Sequence, residues 1–508
     1  MKKHLKAILG YPPLLFLCDR LRLSIQRKSP RGGAPTLNAN PTPDPVGAAP
    51  RRDDRTYQSP RGGAPTLNPN PTPDPVGAAP RRDDRTYQSP RGGAPTLNAN
   101  PTPNPVGAAP RRDDRTHQSP RGGAPTYSLL IAPPGGGNIG DQAMVECFLE
   151  NTPGQIIIIC RTPSDISIPA EHHQRTQLMV LPGLIYGHLP NHLASMQHFL
   201  RLLHQAESVA ITGADIMDGA YNWHASSNRA NLAWLAAQTG VPVRILGFSW
   251  NGHAHPHALR ALKRASAAGV QLCLRDPLSA ERARADGLAN VSEVADMVFA
   301  ARTVDLDAAS RLLGSLPAGS RYALVNASGL LGSGHRQVEE YRQVIRELQR
   351  HGLHVVLLPH VSRPGGDDLL LCRQIHQAVD DPALLLIDHL PCPATIRGLT
   401  AGATLVVTGR MHLAIMSLYH AVPAITLATQ SKVEGLMRLF GAECLCVDPQ
   451  PGFGQSVIAI TRQVLSHPED LRQHLRSKLP EVRAMARRNF TANARAATER
   501  EEMAYAYD

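Results

Sequence analysis

From Tyr127 onward, short apolar runs alternate with longer amphipathic ones, and this rhythm constrains the fold more than anything else in the 508 residues. YSLLIAPP leads into DQAMVECFLENT; QIIIIC, QLMVLPG, SVAITG and VRILGFS follow, most of them with helical text behind them. Short, wholly apolar runs between amphipathic helices predict parallel strands covered on both faces. The rhythm restarts at RYALVNAS and runs through HVVLLPH, LLLIDH, TLVVTG and PAITLA. The expected fold is α/β: two Rossmann-like doubly wound parallel-sheet domains facing a cleft, at 127–305 and 306–460, with C-terminal helices at 461–508. Open parallel sheets bind ligands at the carboxyl ends of their strands. That rule selects loops 134–141, 213–222, 275–279, 326–335, 359–367, 409–412 and 428–434 for close reading.

The first quarter of the chain reads differently. A 30-residue text, SPRGGAPTLNANPTPDPVGAAPRRDDRTYQ, recurs from Ser29, Ser59 and Ser89. Residues 1–126 hold 23 of the 44 prolines, 20 of the 53 Lys and Arg, and 9 of the 42 Asp and Glu. The remainder is balanced at 33 basic and 33 acidic residues, so the net charge of +11 lies in the N-terminal segment. The high pI therefore marks no nucleic-acid-binding face on the folded part. With few large apolar side chains and frequent proline, 29–126 is expected to be a disordered linker. Residues 1–28 are basic and apolar, but Pro12 and Pro13 interrupt the apolar stretch and Asp19 and Arg20 close it. It suits neither a signal peptide nor a bilayer span, which leaves peripheral association with the inner face of a membrane. The eight cysteines form no C-x-x-C pair, and the expected compartment is the cytoplasm.

Two stretches carry chemistry. GGGNIGDQAM (135–144) follows the first strand, and Gly135, Gly137 and Gly140 match the dinucleotide fingerprint G-x-G-x-x-G. The next strand ends in Cys160-Arg161, with no acid for a ribose until Asp165, so an NADP-dependent oxidoreductase is only an alternative. GRMHLAIM (409–416) places Arg410 and His412 where the strand TLVVTG meets a helix. A helix start favours an anion, arginine adds a planar fork, and histidine exchanges a proton near neutrality.

These stretches, with LCLRDPLS (Arg275, Asp276, Ser279), Val422-Pro423 and Lys432 of SKVEGLMRLFG, resemble the polysaccharide pyruvyl transferases over roughly residues 127–445. The shared features are an N-x-G-D core at Asn138–Asp141, an arginine and acid at a strand end, R-x-H at a helix start, and a late lysine. ITGADIMDGAY departs from the family, with Gly213 where more consecutive glycines are expected. The resemblance implies a glycosyltransferase-B-like fold and transfer of a pyruvate ketal from phosphoenolpyruvate to an oligosaccharide or lipid-linked glycan, with no cofactor or metal. It implies His412 and Asp141 as acid–base groups, though Asp141 could equally cap its helix. Arg275, Arg410 and Lys432 would hold the donor, and the Gly135–Gly137 backbone would approach the substrate. Asn138, Gly137, Asn326 and His360 complete the expected binding set, and Asp215 and Asp218 could meet acceptor hydroxyls. A retaining glycosyltransferase using a nucleotide sugar is the rival, but the paired acids eight positions apart are missing: Glu434 is followed by Ala442. His172, His173, His253, His255 and His257 look like metal ligands only by composition.

Overall fold

The computed structural model describes residues 11–28, 126–331, 336–428 and 432–491, all within one compact unit. The 30-residue repeats lie outside the described residues. The first sheet comprises β1 (Tyr127–Ile131), β2 (Gln155–Cys160), β3 (Thr176–Val180), β4 (Ala206–Ala214), β5 (Val243–Phe248), β6 (Gln271–Leu274) and β7 (Val291–Glu293). The second comprises β8 (Tyr322–Asn326), β9 (His354–Leu357), β10 (Leu384–Leu386), β11 (Leu405–Thr408), β12 (Ala424–Leu427) and β13 (Cys446–Val447). Every pairing is parallel. Helices on both faces bury strands such as β8 and β11 completely, which is why their sequences show no polar alternation.

The two sheets repeat one topology. Their orders are β3-β2-β1-β4-β5-β6-β7 and β10-β9-β8-β11-β12-β13, so each reverses direction beside its first strand. Crevices open where strand order reverses. Here they fall between β1 and β4 and between β8 and β11, and both are turned to the same cleft. The halves are not independent bodies: one apolar core runs from Leu130 and Met144 through Phe299 to Phe440, with the Phe299 and Phe440 rings 5.6 Å apart. This is the two-domain arrangement of the glycosyltransferase-B type.

Both the first and the last described segments dock on the first half. The helix Pro468–Arg487 delivers Asn489, whose amide donates to Ala295 O (3.0 Å) and accepts from Gly247 N (2.9 Å). At the other end, Pro12 and Pro13 do not interrupt a helix but start one, Pro12–Lys28, because the first turn needs no amide donors. Leu15 and Phe16 are buried on it, Phe16 packs edge-on to Trp234 at 4.9 Å, and Asp19 pairs with buried His192 at 3.1 Å. No helix among the described residues is long and apolar enough to cross a membrane.

Candidate active site

The glycine loop is closed on itself. Asn138, not Asp141, caps the helix Ile139–Asn151, accepting from Gly140 N at 3.0 Å. Gly135 N donates to the Asp141 carboxylate (3.1 Å), Gly136 N to Asp165 O (2.9 Å) and Ile139 N to His360 O (3.2 Å). These amides have no capacity left for a pyrophosphate. The glycines are required for backbone approach, but to protein. A Cβ at Gly135 would sit 2.0 Å from Asp165 O, and one at Gly137 2.1 Å from Ser362 O. Gly137, at φ +73°, is clamped to the second half: Ser362 N donates to Gly137 O at 2.8 Å, and Asn138 forms an antiparallel bridge with Val361. The expected approach of Gly137 to a substrate is therefore replaced by a seam between the halves.

The turn after β11 is built the opposite way. Arg410 N donates to Thr408 Oγ1 (2.9 Å), while the amides of Met411 and His412, opening the helix Met411–Leu418, have no acceptor among the described residues. Both residues line a cavity of about 220 Å³. Asn138, Asp141, Arg275, His360, Arg410, His412 and Lys432 all line it, as do Asp215, Arg229 and Arg363. Gly137 lies outside it. So does Asn326, which is fully buried: its amide donates to Leu358 O and Asp368, and its carbonyl accepts from Thr408. A side chain with all its bonds made inside the core has none for a substrate, so Asn326 is a positioning residue.

Arg410 differs from expectation in one respect. Its Nε and Nη2 already grip buried Asp368, at 3.1 and 2.6 Å, and Nη2 also reaches Gly366 O. Only Nη1 makes no bond among the described residues. Arg275 is similar: Nε donates to Ser249 (2.8 Å) and Nη1 to Asp296 (2.9 Å), which leaves Nη2. Lys432 is ion-paired with Asp215. Burial opposes both charges, but their mutual attraction outweighs it, holding the lysine pKa up and the aspartate pKa down.

Two carboxylates are driven apart. Burial raises Asp141 to about 6, although Arg363 and His412 pull it back. Burial also raises Asp296, but His412 and Arg275 overcome it and bring it to about 2. Asp296 Oδ2 lies 3.6 Å from His412 Nε2, so a fixed anion backs the imidazole. On the other side Gly140 makes room for the ring: a Cβ there would be 2.3 Å from His412 Nδ1. His360 is buried with both ring nitrogens unpaired. Burial, then His412 and Arg410, keep it neutral well below the usual histidine range.

Sequence reasoning missed Asp296, Arg363, Arg229 and Asp368. Asp296 follows β7, a three-residue strand too short to show as an apolar run. Arg363 stands in a loop already selected, LLPHVSRPGG, behind the more conspicuous His360. Arg229 is in mid-helix, and only its place in the apolar text NRANLAWLAA hints at burial. The histidines at 255 and 257 stack on Trp223, each at 4.8 Å, rather than converging on a point.

Fold and cavity thus define a two-domain α/β protein whose cleft is lined by five Lys and Arg side chains. The chain belongs to the polysaccharide pyruvyl transferase family, whose sequence profile matches residues 138–431, and it is a transferase. No curated protein matches it. Among solved structures it is similar to a UDP-N-acetylglucosamine 2-epimerase from Listeria monocytogenes, described as putative in its source, at 11% identity and TM-score 0.48, covering 72% of this chain and 94% of that one. It is also similar to HepE of Anabaena, in complex with UDP and glucose, at 13% and 0.45, covering 76% and 99%. The UDP-GlcNAc 2-epimerase of Neisseria meningitidis, bound to UDP-GlcNAc, matches at 12% and 0.45, covering 72% and 97%.

Proposed function

We propose that the cavity binds phosphoenolpyruvate and that the enzyme transfers its pyruvyl group, as a cyclic ketal, to two hydroxyls of a sugar in a polysaccharide or its precursor. One observation carries the reading: an unsatisfied helix N-terminus shares a cavity with five cationic side chains and with a histidine and a carboxyl suited to proton transfer. A molecule bearing a carboxylate next to a phosphate needs this density of fixed positive groups. The amides of Met411 and His412, Arg410 Nη1, Arg275 Nη2, Arg363 and Lys432 supply it.

His412, backed by Asp296, gives a proton to the donor methylene, which becomes the methyl group. The adjacent carbon becomes electrophilic and takes the first sugar hydroxyl. Phosphate then leaves, and the second hydroxyl closes the ketal. Two hydroxyl protons are released; one replaces that given by His412 and the other departs with phosphate. Asp141, with a pKa near 6, accepts from the hydroxyl, while Asp296 stays ionised; two carboxyls pushed apart by their surroundings divide such roles.

Titration of the protein with phosphoenolpyruvate, UDP-glucose and NADPH tests the reading. Saturable binding of phosphoenolpyruvate alone, with phosphate released when a sugar acceptor is added, is expected. Binding of the nucleotide sugar in its place would overturn it.

A further inference from the structure

The donor cavity has a neighbour on the side of the first half. Tyr186, Asn222 and Ala225 line it and also line a second cavity of about 610 Å³, between the short helix Gly183–Tyr186 and the start of the helix Trp223–Ala237. The smaller space suits the donor, and the larger one adjoins it at these three residues. The second cavity's lining among the described residues contains no Asp, Glu, Lys or Arg, its ionisable side chains besides Tyr186 being His188 and His224, although the donor cavity beside it is crowded with charge.

Its asparagines are neutral and bifunctional. Asn222 spends its carbonyl on Ala225 N (3.1 Å), which leaves its amide hydrogens. Asn228 spends an amide hydrogen on Ile185 O (2.7 Å), which leaves its carbonyl. Asn191 is exposed on the rim. At the junction stands Tyr186, 39% exposed. Its ring is held by the Arg229 and Arg161 guanidiniums at 5.4 and 5.6 Å, and its hydroxyl accepts from Arg229 at 2.7 Å. Amide donors and acceptors beside a fixed aromatic ring match a ligand with many hydroxyls, an apolar face and no charge.

A third cavity, of about 920 Å³, is the competitor, and it differs on both counts. It is lined by Glu146, Glu150, Asp165, Glu171, Asp305 and Asp307. It also lies beyond the Gly137–Ser362 seam, meeting the donor cavity only at Asn138.

We infer that the 610 Å³ groove is the acceptor subsite and takes an uncharged sugar ring of the glycan, with Tyr186 turning its hydroxyl pair toward the donor. The inference rests on the pyruvyl-transfer reading for the word acceptor, but sugar binding can be tested without it. Saturation-transfer NMR on the full chain, without donor, would use methyl glycosides and disaccharides of glucose, galactose, mannose and N-acetylglucosamine, with methyl glucuronide as the charged comparator. At least one neutral sugar is expected to bind at least tenfold more tightly than the glucuronide. Tyr186→Ala and the rim variant Asn191→Ala should each weaken that binding about tenfold, and Asn191→Ala, which lies outside the donor cavity, should keep phosphoenolpyruvate affinity within twofold of the parent. Glu150→Gln and Glu171→Gln, in the acidic cavity, should leave sugar binding unchanged. Binding of none of the neutral sugars, tighter binding of the glucuronide, insensitivity to both groove variants, or weakening by the acidic-cavity variants would each overturn the inference. Sugar binding through the groove with no phosphoenolpyruvate binding would instead sink the donor assignment and leave the groove standing.

Discussion

The turn after β1 and the turn after β11 occupy equivalent places, each beside the strand-order reversal of its sheet, yet they are built differently. The first is rich in glycine, matches a phosphate-binding pattern, and spends the amides of Gly135, Gly136, Ile139 and Gly140 on Asp141, Asp165, His360 and Asn138, while Gly137 itself is clamped against Ser362. The second, Gly409–His412, matches no such pattern, and the amides of Met411 and His412, two residues that line the cavity, have no acceptor among the described residues. Glycine permits close approach of backbone to something; it does not specify what. Here that something is the other half of the protein. The pattern's letters describe a conformation, and the ligand is decided by which amides remain unpaired.

The sharpest way to break this contrast is His412→Ala. If the open turn performs the chemistry, turnover falls about a hundred- to ten-thousand-fold while calorimetry still shows phosphoenolpyruvate bound. Full activity would remove His412 from the mechanism.

Gly137→Val probes the closed loop. A β-branched residue at φ +73°, driven against the Ser362 carbonyl, should cost about 3–4 kcal/mol of stability, read by denaturant unfolding. A dinucleotide loop would instead keep its stability and lose cofactor affinity.

Arg410→Lys tests whether the open turn depends on its buried support. The bidentate grip on Asp368 is lost, and that carboxylate, fully buried, also accepts from Asn326, Gly329 and Val361. A loss of about 2–3 kcal/mol is expected with weakened donor binding. An unchanged melting temperature would show that a point charge suffices.

Asp141→Asn sharpens the difference through pH. The folded state raises the Asp141 pKa from 3.8 to about 6, so the native state binds the proton more tightly than the unfolded one. Stability from this group is fully present below 3.8 and is lost as pH rises through about 6. The variant should lack that loss and gain about 2 kcal/mol relative to the parent between pH 4 and pH 7. Asp296 runs the other way: its contribution is present above 3.8 and disappears as pH falls through about 2.

The smallest effect concerns the N-terminus. Deleting 31–120 should leave the melting temperature unchanged, whereas deleting 1–124 also removes Phe16 and the Asp19–His192 pair. The second deletion is expected to cost about 1–2 kcal/mol, a few degrees in calorimetry, with cooperative unfolding and activity retained.

Much of the molecule was legible beforehand because strands buried on both faces write themselves as uninterrupted apolar runs. QIIIIC, SVAITG and TLVVTG appear where expected, and β7 did not show because three residues make no run. Arg275, Arg410, His412 and Lys432 were legible for a related reason: each follows a strand or opens a helix, and topology sends such positions to one edge. Arg229 had no such marker. Asn326 had the right marker and the wrong surroundings, since a strand-end residue can face the core as readily as the cleft.

The sequence by itself determined two doubly wound halves, the edge at which their strands end, and the charged residues along it, because periodicity and strand ends are local properties of the chain. Only the tertiary structure decided which of those residues face the cavity and which groups remain unpaired there. Whether Gly137 meets Ser362 or a phosphate, and whether Arg410 offers its whole fork or one nitrogen, depends on partners more than forty and two hundred positions away. Hydrogen-bond capacity is finite, and a polar group satisfied by a distant neighbour is withdrawn from the ligand.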